Sequence, residues 1–521
     1  MATNIKVLDC TLRDGGYIND WNFGIRAIQS ILNNLVKANL DYIECGYLKD
    51  LTYDTNKTFF PNIEELNSIL PQGVSAKFCM MINYGEYDIN KVPSANKESI
   101  ILRVAFKKSQ YQEAAKYCEA LKNKGYDVFM NPMNTSSYSA RELLDLIEMV
   151  NDFRPKVLTI VDSFGSMKES DVLRMFYLMD STLRTDIAIG FHSHNSLQLS
   201  FSNAQAVIIN NTGRNLIIDS SIFGMGRGAG NLCTELIIQY MNDHQNGRYN
   251  LVPVLKSIDE DINPIYISKP WGYSVPYYLA ATNKCHPNYA TYLTDKHTVS
   301  VEEINKIIGN LPNEDKAFFN KDLIKKVYID AISDNVDDEQ VFSALNELIN
   351  NRPILILAPG KTLETEKNKV DELIESIKPC VISLNFVPGK YSPDMAFVNS
   401  VTRLDQIGHT SCKLLVTSNI KQVPTGATVV NYSSYLNDSD LFDNVALMFF
   451  RLLIKLGIKT AYIAGFDGLS IIPSQNYVST DLVHNINADR INSNNKIISD
   501  ELQNIGNSLK LVFVTKSIYT N

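Results

Sequence analysis

The chain has 521 residues, 45% hydrophobic and 20% charged, with 49 Lys and Arg against 57 Asp and Glu for a formal charge of −8. That is the composition of a folded globular protein rather than a disordered chain, and the acidic balance argues against broad binding to nucleic acid or an anionic membrane. Lys6, Asp9 and Asp14 stand where the apolar core of a secretory leader would be needed, and no apolar run approaches a membrane span of about 20 residues. The eight cysteines include no CxxC pair, as expected of reduced thiols in a cytoplasmic protein.

Residues 1–249 alternate strand and helix patterns. Strands are predicted at Ile5–Cys10, Asp41–Tyr47, Val74–Ile82, Ser99–Phe106, Tyr126–Asn131, Lys156–Asp162, Asp186–His192 and Asn215–Ser220. Amphipathic helices fall between most of them, at Ile25–Ala38, Gln110–Lys124, Ala140–Asn151, Glu169–Met179, Leu197–Asn210 and Leu232–Asp243. Several strands are continuous apolar runs, the mark of parallel strands covered on both faces. The pattern predicts an α/β fold, a (β/α)8 TIM barrel, with an open doubly wound sheet as the alternative.

Residues 250–350 read as a helical extension capping the barrel, with helices predicted at Val301–Leu311 and Lys321–Ala331. Residues 351–521 return to an α/β pattern and predict a smaller Rossmann-like domain. Its strands are expected at Ile354–Ala358, Val381–Asn385, Lys413–Thr417, Thr428–Asn431, Thr460–Ala464 and Lys510–Val514, and its helices at Leu363–Ile377 and Phe442–Leu456. The polar runs Asn437–Asp440 and Asn485–Asn495 read as surface loops. The turn Pro359-Gly360-Lys361-Thr362 joins a strand to a helix and could present amides to a phosphate.

Three motifs follow predicted barrel strands. Thr11-Leu12-Arg13-Asp14-Gly15-Gly16 follows the first, His192-Ser193-His194-Asn195 the seventh, and Gly224-Met225-Gly226-Arg227-Gly228-Ala229-Gly230-Asn231 the eighth. Barrel active sites gather at the carboxyl ends of strands, and these three strands become neighbours when a barrel closes. Side chains two apart on a strand share a face, so His192 and His194 can offer nitrogens to one metal ion, with Asp14 adding an oxygen. Three ligands leave positions open, as in a catalytic metal site. Arg13 then needs another anion, and a substrate carboxylate or enolate oxygen is the natural one. The glycines suit close backbone approach to the metal, with Asn231 bringing an amide near it. Glu44, Arg103 and Asp162 sit near strand ends as scaffold first, and can also line the pocket.

Together these motifs resemble the metal-dependent barrel family that includes hydroxymethylglutaryl-CoA lyase, isopropylmalate synthase and 4-hydroxy-2-oxovalerate aldolase. Gly230-Asn231-Leu232-Cys233-Thr234-Glu235 and the tyrosine-bearing Gly272-Tyr273-Ser274-Val275-Pro276-Tyr277 are most similar to the aldolase branch. The resemblance, over residues 4–335, implies a divalent-metal aldolase acting on a 2-oxo acid and an aldehyde through a pyruvate enolate. It implies Asp14, His192 and His194 as ligands to Mn2+ (Mg2+, Co2+ or Zn2+ otherwise), Arg13 stabilising the enolate, and Tyr277 near the proton-transfer site. Where the family places a histidine three residues after the ligand aspartate, this chain has Tyr17, expected to face the metal and move the proton. A homo-oligomer and a dehydrogenase partner fit the same class. The last domain resembles Rossmann-like domains of surface-glycan enzymes, and so links the chain to sugar metabolism. Two alternatives stay open: an acyl-CoA Claisen-type enzyme of the same superfamily, and a non-catalytic sugar-nucleotide or glycan-binding protein.

Overall fold

The structure is a computed structural model that describes residues 5–96, 100–211, 213–244, 248–296, 298–332, 336–436, 443–483 and 488–520. The chain divides into two compact units, Met1–Ala290 with Pro312–Phe319, and Thr291–Leu311 with Asn320–Asn521. The helices of segment 250–350 are thus shared between the two units.

The first unit is a closed parallel barrel. Its strands are β1 (Ile5–Asp9), β2 (Tyr42–Leu48), a two-residue β3 (Phe59–Phe60), β4 (Lys77–Asn83), β5 (Ile101–Phe106), β6 (Val128–Pro132), β7 (Val157–Asp162), β8 (Ala188–Ser193) and β9 (Leu216–Ser220). The order β1-β9-β8-β7-β6-β5-β4-β2-β3 closes through β1 against β2, so eight strands form the wall and β3 lies outside it. The TIM barrel read from the sequence is the fold; β3 is an addition too short to carry a periodic signal.

The barrel interior is built in layers. Leu8, Tyr42, Cys79, Ile101, Phe129, Val157, Ala188 and Ile217, one from each wall strand, form with Cys10 a buried apolar cluster. Two residues further along four of those strands stand Glu44, Arg103, Asn131 and Asp219, all buried. The period of two keeps them on the same inward face. An apolar plug therefore seals one end, and a charged layer lies above it, toward the carboxyl ends.

The second unit has a parallel sheet of β10 (Ile354–Leu357), β11 (Cys380–Leu384), β12 (Met395–Val398), β13 (Lys413–Thr417), β14 (Thr428–Val430), β15 (Thr460–Ala464) and β16 (Lys510–Phe513). Its order β14-β13-β12-β11-β10-β15-β16 reverses direction at β10, as in Rossmann-like sheets. β12 escapes the sequence pattern because its four apolar residues follow the turn-rich run Val387–Asp394. The Asn-rich loop expected at 485–495 is corrected over its described part, where Ala488–Gly506 is a helix. Ile491, Ile498 and Ile505 recur every seven residues and are buried, a stripe that outweighs the asparagines. The run Asn437–Asp440 lies outside the described residues, as does Phe442, the first residue of a helix observed from Val445 to Lys455. The turn at Gly360 is closed rather than open to phosphate, because the Thr362 amide donates to Asp467 Oδ2 at 2.8 Å.

Candidate active site

The loop after β1 turns at once into the short helix Thr11–Asp14. Thr58 Oγ1 donates to the Leu12 carbonyl at 2.7 Å, and Trp21 Nε1 donates to the Arg13 carbonyl at 2.7 Å. Those bonds fix the backbone from which Arg13 and Asp14 project, and both side chains are buried.

Asp14, His192 and His194 each offer a ligand atom, all within 4.8 Å of one another. The two imidazole centroids are 5.3 Å apart and nearly perpendicular. His192 Nδ1 is 3.2 Å from Asp219 Oδ2, which leaves its other ring nitrogen for the centre of the group. His194 Nε2 is 4.0 Å from Asp14 Oδ2, and its Nδ1 is buried with no hydrogen-bond partner. Asn231 Nδ2 donates to Asp14 Oδ2 at 2.6 Å, while Asn231 Oδ1 is buried and unpartnered. Burial alone would raise the Asp14 carboxyl, but Arg13, then His194 and His192, hold it well below the usual range. Burial lowers His194 to about 3, so the imidazole is neutral. A charged carboxylate and a neutral imidazole with their ligand atoms gathered within 4.8 Å, and two buried polar atoms without partners beside them, fit a divalent cation.

Arg13 has an anion besides any substrate. Its Nε donates to Glu44 Oε2 at 2.7 Å and one terminal nitrogen donates to Asp14 Oδ1 at 2.6 Å. The expectation that Arg13 must look to substrate for its counter-charge is corrected, since β2 brings Glu44 beneath it. Its remaining terminal nitrogen makes no hydrogen bond among the described residues. Glu44 Oε2 also lies 3.1 Å from Arg103, and Arg103 pairs with Asp219 and donates to Asn131 Oδ1 at 3.0 Å. Asp14, Arg13, Glu44, Arg103, Asp219 and His192 thus form one buried chain of alternating partners. Asp162 stands apart from it. Its carboxylate accepts the Ser166 and Met167 amides, each at 3.0 Å, and burial raises it to about 6.

Glycines shape the loop after β9. A Cβ on Gly226 would fall 2.3 Å from Asn231 Nδ2 and 3.0 Å from Asp14 Oδ2. A Cβ on Gly228 would meet the Tyr277 ring at 3.8 Å, so this loop runs between the ligand group and Tyr277. Trp271 Nε1 donates to the Phe223 carbonyl at 3.1 Å and ties the helical segment carrying Tyr277 to the same loop. Tyr17 is 40% exposed, its hydroxyl 3.3 Å from that of the buried Tyr47. Burial, with Tyr17 next to it, pushes the Tyr47 phenol up, while Arg13 opposes the shift.

Four residues of this region are given no role in the sequence reading. Asp219 closes an apolar strand, a signal that could have been taken. Tyr47, Arg227 and His286 carry none, because Tyr17, Ser163 and Phe164, which they meet, lie far from them in the sequence.

Residues 4–260 match the family described as HMGL-like. This segment is an HMGL-like domain. It is similar to 4-hydroxy-2-oxovalerate aldolase from Geobacillus thermodenitrificans, 24% identical over 245 residues that cover 46% of this chain and 70% of that protein. The enzyme of the same name from Pseudoalteromonas translucida is 25% identical over 262 residues, 49% of this chain and 75% of that one. Among solved structures, the HMG-CoA lyase from Brucella melitensis superposes with a TM-score of 0.40 at 12% identity, covering 49% of this chain and 96% of that one. In the HMGL-like domain the ligand group draws one residue from the loop after β1 and two from the end of β8, while the loop after β9 closes over Asp14.

Proposed function

We propose that the HMGL-like domain forms or cleaves the carbon–carbon bond between a pyruvate enolate and an aldehyde, with a 4-hydroxy-2-oxo acid as the joined species. Asp14, His192 and His194 hold a divalent ion, Mn2+ first and Mg2+ or Co2+ next. The observation that carries this reading is the ligand group itself: three donors within 4.8 Å, one imidazole backed by a carboxylate and the other neutral. When bound, the ion supplies Lewis acidity at the keto group of a 2-oxo acid.

The chain's own residues supply the rest. The terminal nitrogen of Arg13 left over from Glu44 and Asp14 donates to the oxygen on which enolate charge develops. Glu44 holds the guanidinium plane still, so this donor is set before substrate arrives. Proton transfer uses the phenol pair: Tyr47 is buried and Tyr17 reaches solvent, so a proton passed between the two hydroxyls leaves the site without opening it. Tyr277, across the glycine loop, borders the acceptor side.

Deuterium exchange into the pyruvate methyl group tests this without knowledge of the aldehyde. Exchange that requires Mn2+ and is lost in His192→Ala/His194→Ala is expected. No exchange with any divalent ion, together with condensation of acetyl-CoA onto a 2-oxo acid, would replace the aldolase by a Claisen-type enzyme.

A further inference from the structure

Arg227 is the cation of this region that the buried ion chain does not use. Three carboxylates (Asp14, Glu44, Asp219) and two guanidiniums (Arg13, Arg103) are charge-paired with one another within that chain. Arg227 stands outside it, and no carboxylate of the described residues lies within 4 Å of its guanidinium. One terminal nitrogen donates to the Ser163 carbonyl at 3.1 Å, and the guanidinium carbon is 5.7 Å from the centre of the Tyr17 ring. A guanidinium has five N–H donors, and this one makes a single hydrogen bond among the described residues.

Its position is defined on three sides. The preceding Gly226 packs against Asp14 and Asn231, and the following Gly228 faces Tyr277. Ser163, just past the end of β7, holds the third side. Burial and then Arg227 depress His286, so the field of the guanidinium also reaches the helical segment. The remaining N–H donors of this half-buried guanidinium are open to an anion from outside, which a guanidinium binds through paired hydrogen bonds.

We propose that Arg227 recognises an anionic group, a carboxylate or a phosphate, on the aldehyde that the site accepts. This rests on the aldolase reading above. The pyruvate carboxylate belongs beside the ligand group and Arg13, so the charge read by Arg227 is a second one, at the far end of the acceptor. The acceptor class is then a semialdehyde acid or a phosphorylated aldehyde, and neutral aldehydes are poor partners.

The test uses matched pairs with the full-length enzyme, Mn2+ and pyruvate: succinic semialdehyde against butanal, and glyceraldehyde 3-phosphate against glyceraldehyde. In the wild type one charged member is expected to exceed its neutral partner in kcat/KM by about ten- to a hundredfold, as for a charge-assisted hydrogen bond. Arg227→Met should collapse that ratio toward one, chiefly through KM, and Arg227→Lys should restore part of it. Calorimetry gives a readout apart from turnover: 4-hydroxybutyrate or glycerol 3-phosphate, which keep the charge but lack the aldehyde, bind the wild type and not Arg227→Met. Equal use of charged and neutral aldehydes by the wild type overturns the proposal, as does an Arg227→Met enzyme with the ratio intact. Absence of metal-dependent pyruvate exchange in the wild type would instead overturn the aldolase reading beneath it.

Discussion

Asp219 Oδ2 lies 3.2 Å from His192 Nδ1, and the same oxygen takes the guanidinium of Arg103. One carboxylate on β9 therefore orients a candidate metal ligand on β8 and neutralises a buried cation on β5. Burial would raise Asp219, but Arg103 and then His192 hold it below the usual carboxylate range, so it is charged when it acts on the ring. Asp219→Asn should keep the shape while removing the charge. Partners of this kind typically set metal affinity within about 10–100-fold, and a loss of that size is expected in Mn2+ titrations of the metal-free protein. Unchanged affinity would reduce Asp219 to a counter-ion for Arg103.

Gly226 offers a test that touches no ligand. Its backbone is not in the left-handed region, so alanine is permitted there, but the added methyl would fall 2.3 Å from Asn231 Nδ2 and 3.0 Å from Asp14 Oδ2. Gly226→Ala should push these two side chains apart and weaken metal binding by about tenfold or more, on the scale of a disturbed supporting shell. Circular dichroism should show the barrel intact. Wild-type metal affinity in this variant would mean that the loop can retreat from Asp14.

The tyrosines separate by burial. Tyr17→Phe removes the solvent end of the phenol pair and Tyr47→Phe the buried end. If protons leave through the pair, either change slows turnover by about 10²–10⁴-fold, the usual worth of a positioned acid or base. The double variant should then be no slower than the slower single one, because both act in one route. Single-turnover rates for the four proteins decide it, and independent, multiplying losses would break the relay.

The barrel was legible because eight apolar runs at regular spacing leave few other folds, and His192 and His194 because a spacing of two on a strand needs no tertiary knowledge. Glu44, Arg103 and Asp162 were each visible as charges within or at the end of a predicted strand, yet their roles diverged. Glu44 and Arg103 join the ion chain, whereas the Asp162 carboxylate gathers the amides of Ser166 and Met167 and its carbonyl accepts the His194 amide at 3.1 Å. What separates them is which residues face across the barrel, and that depends on strand register and shear. Tyr47 shows the same limit: it follows Glu44 by three residues across a break in register with β4, which strand alternation does not anticipate.

Two histidines make stability pH-dependent in a definite direction. His286 sits between the rings of Phe164 and Phe319, each 6.2 Å from it, and its Nδ1 accepts the Asn288 amide at 3.2 Å. Burial and then Arg227 lower it to about 3; burial first lowers His194 to about 3 as well. In the unfolded chain both titrate near about 6.5. Between those values these two histidines bind more protons in the unfolded state, so their contribution to the stability of the metal-free protein is lost as pH drops from about 6.5 toward 3. Asp14 and Asp219, held below the usual range, lose their contributions only below about pH 4, where unfolded carboxylates take up protons. Asp9 and Asp162, which burial raises to about 6, take up protons in the folded state over the same range and oppose this slope, so the contribution of His286 is read as the difference between wild type and a His286 variant in urea unfolding between about pH 6.5 and 4.5. Both tryptophans, Trp21 and Trp271, belong to the first unit, so their fluorescence reports that unit. His286→Gln keeps an acceptor for the Asn288 amide but cannot titrate, and it should lower the proton uptake on unfolding in this window by close to one. A slope identical to that of the wild type would show that His286 is protonated in the folded protein.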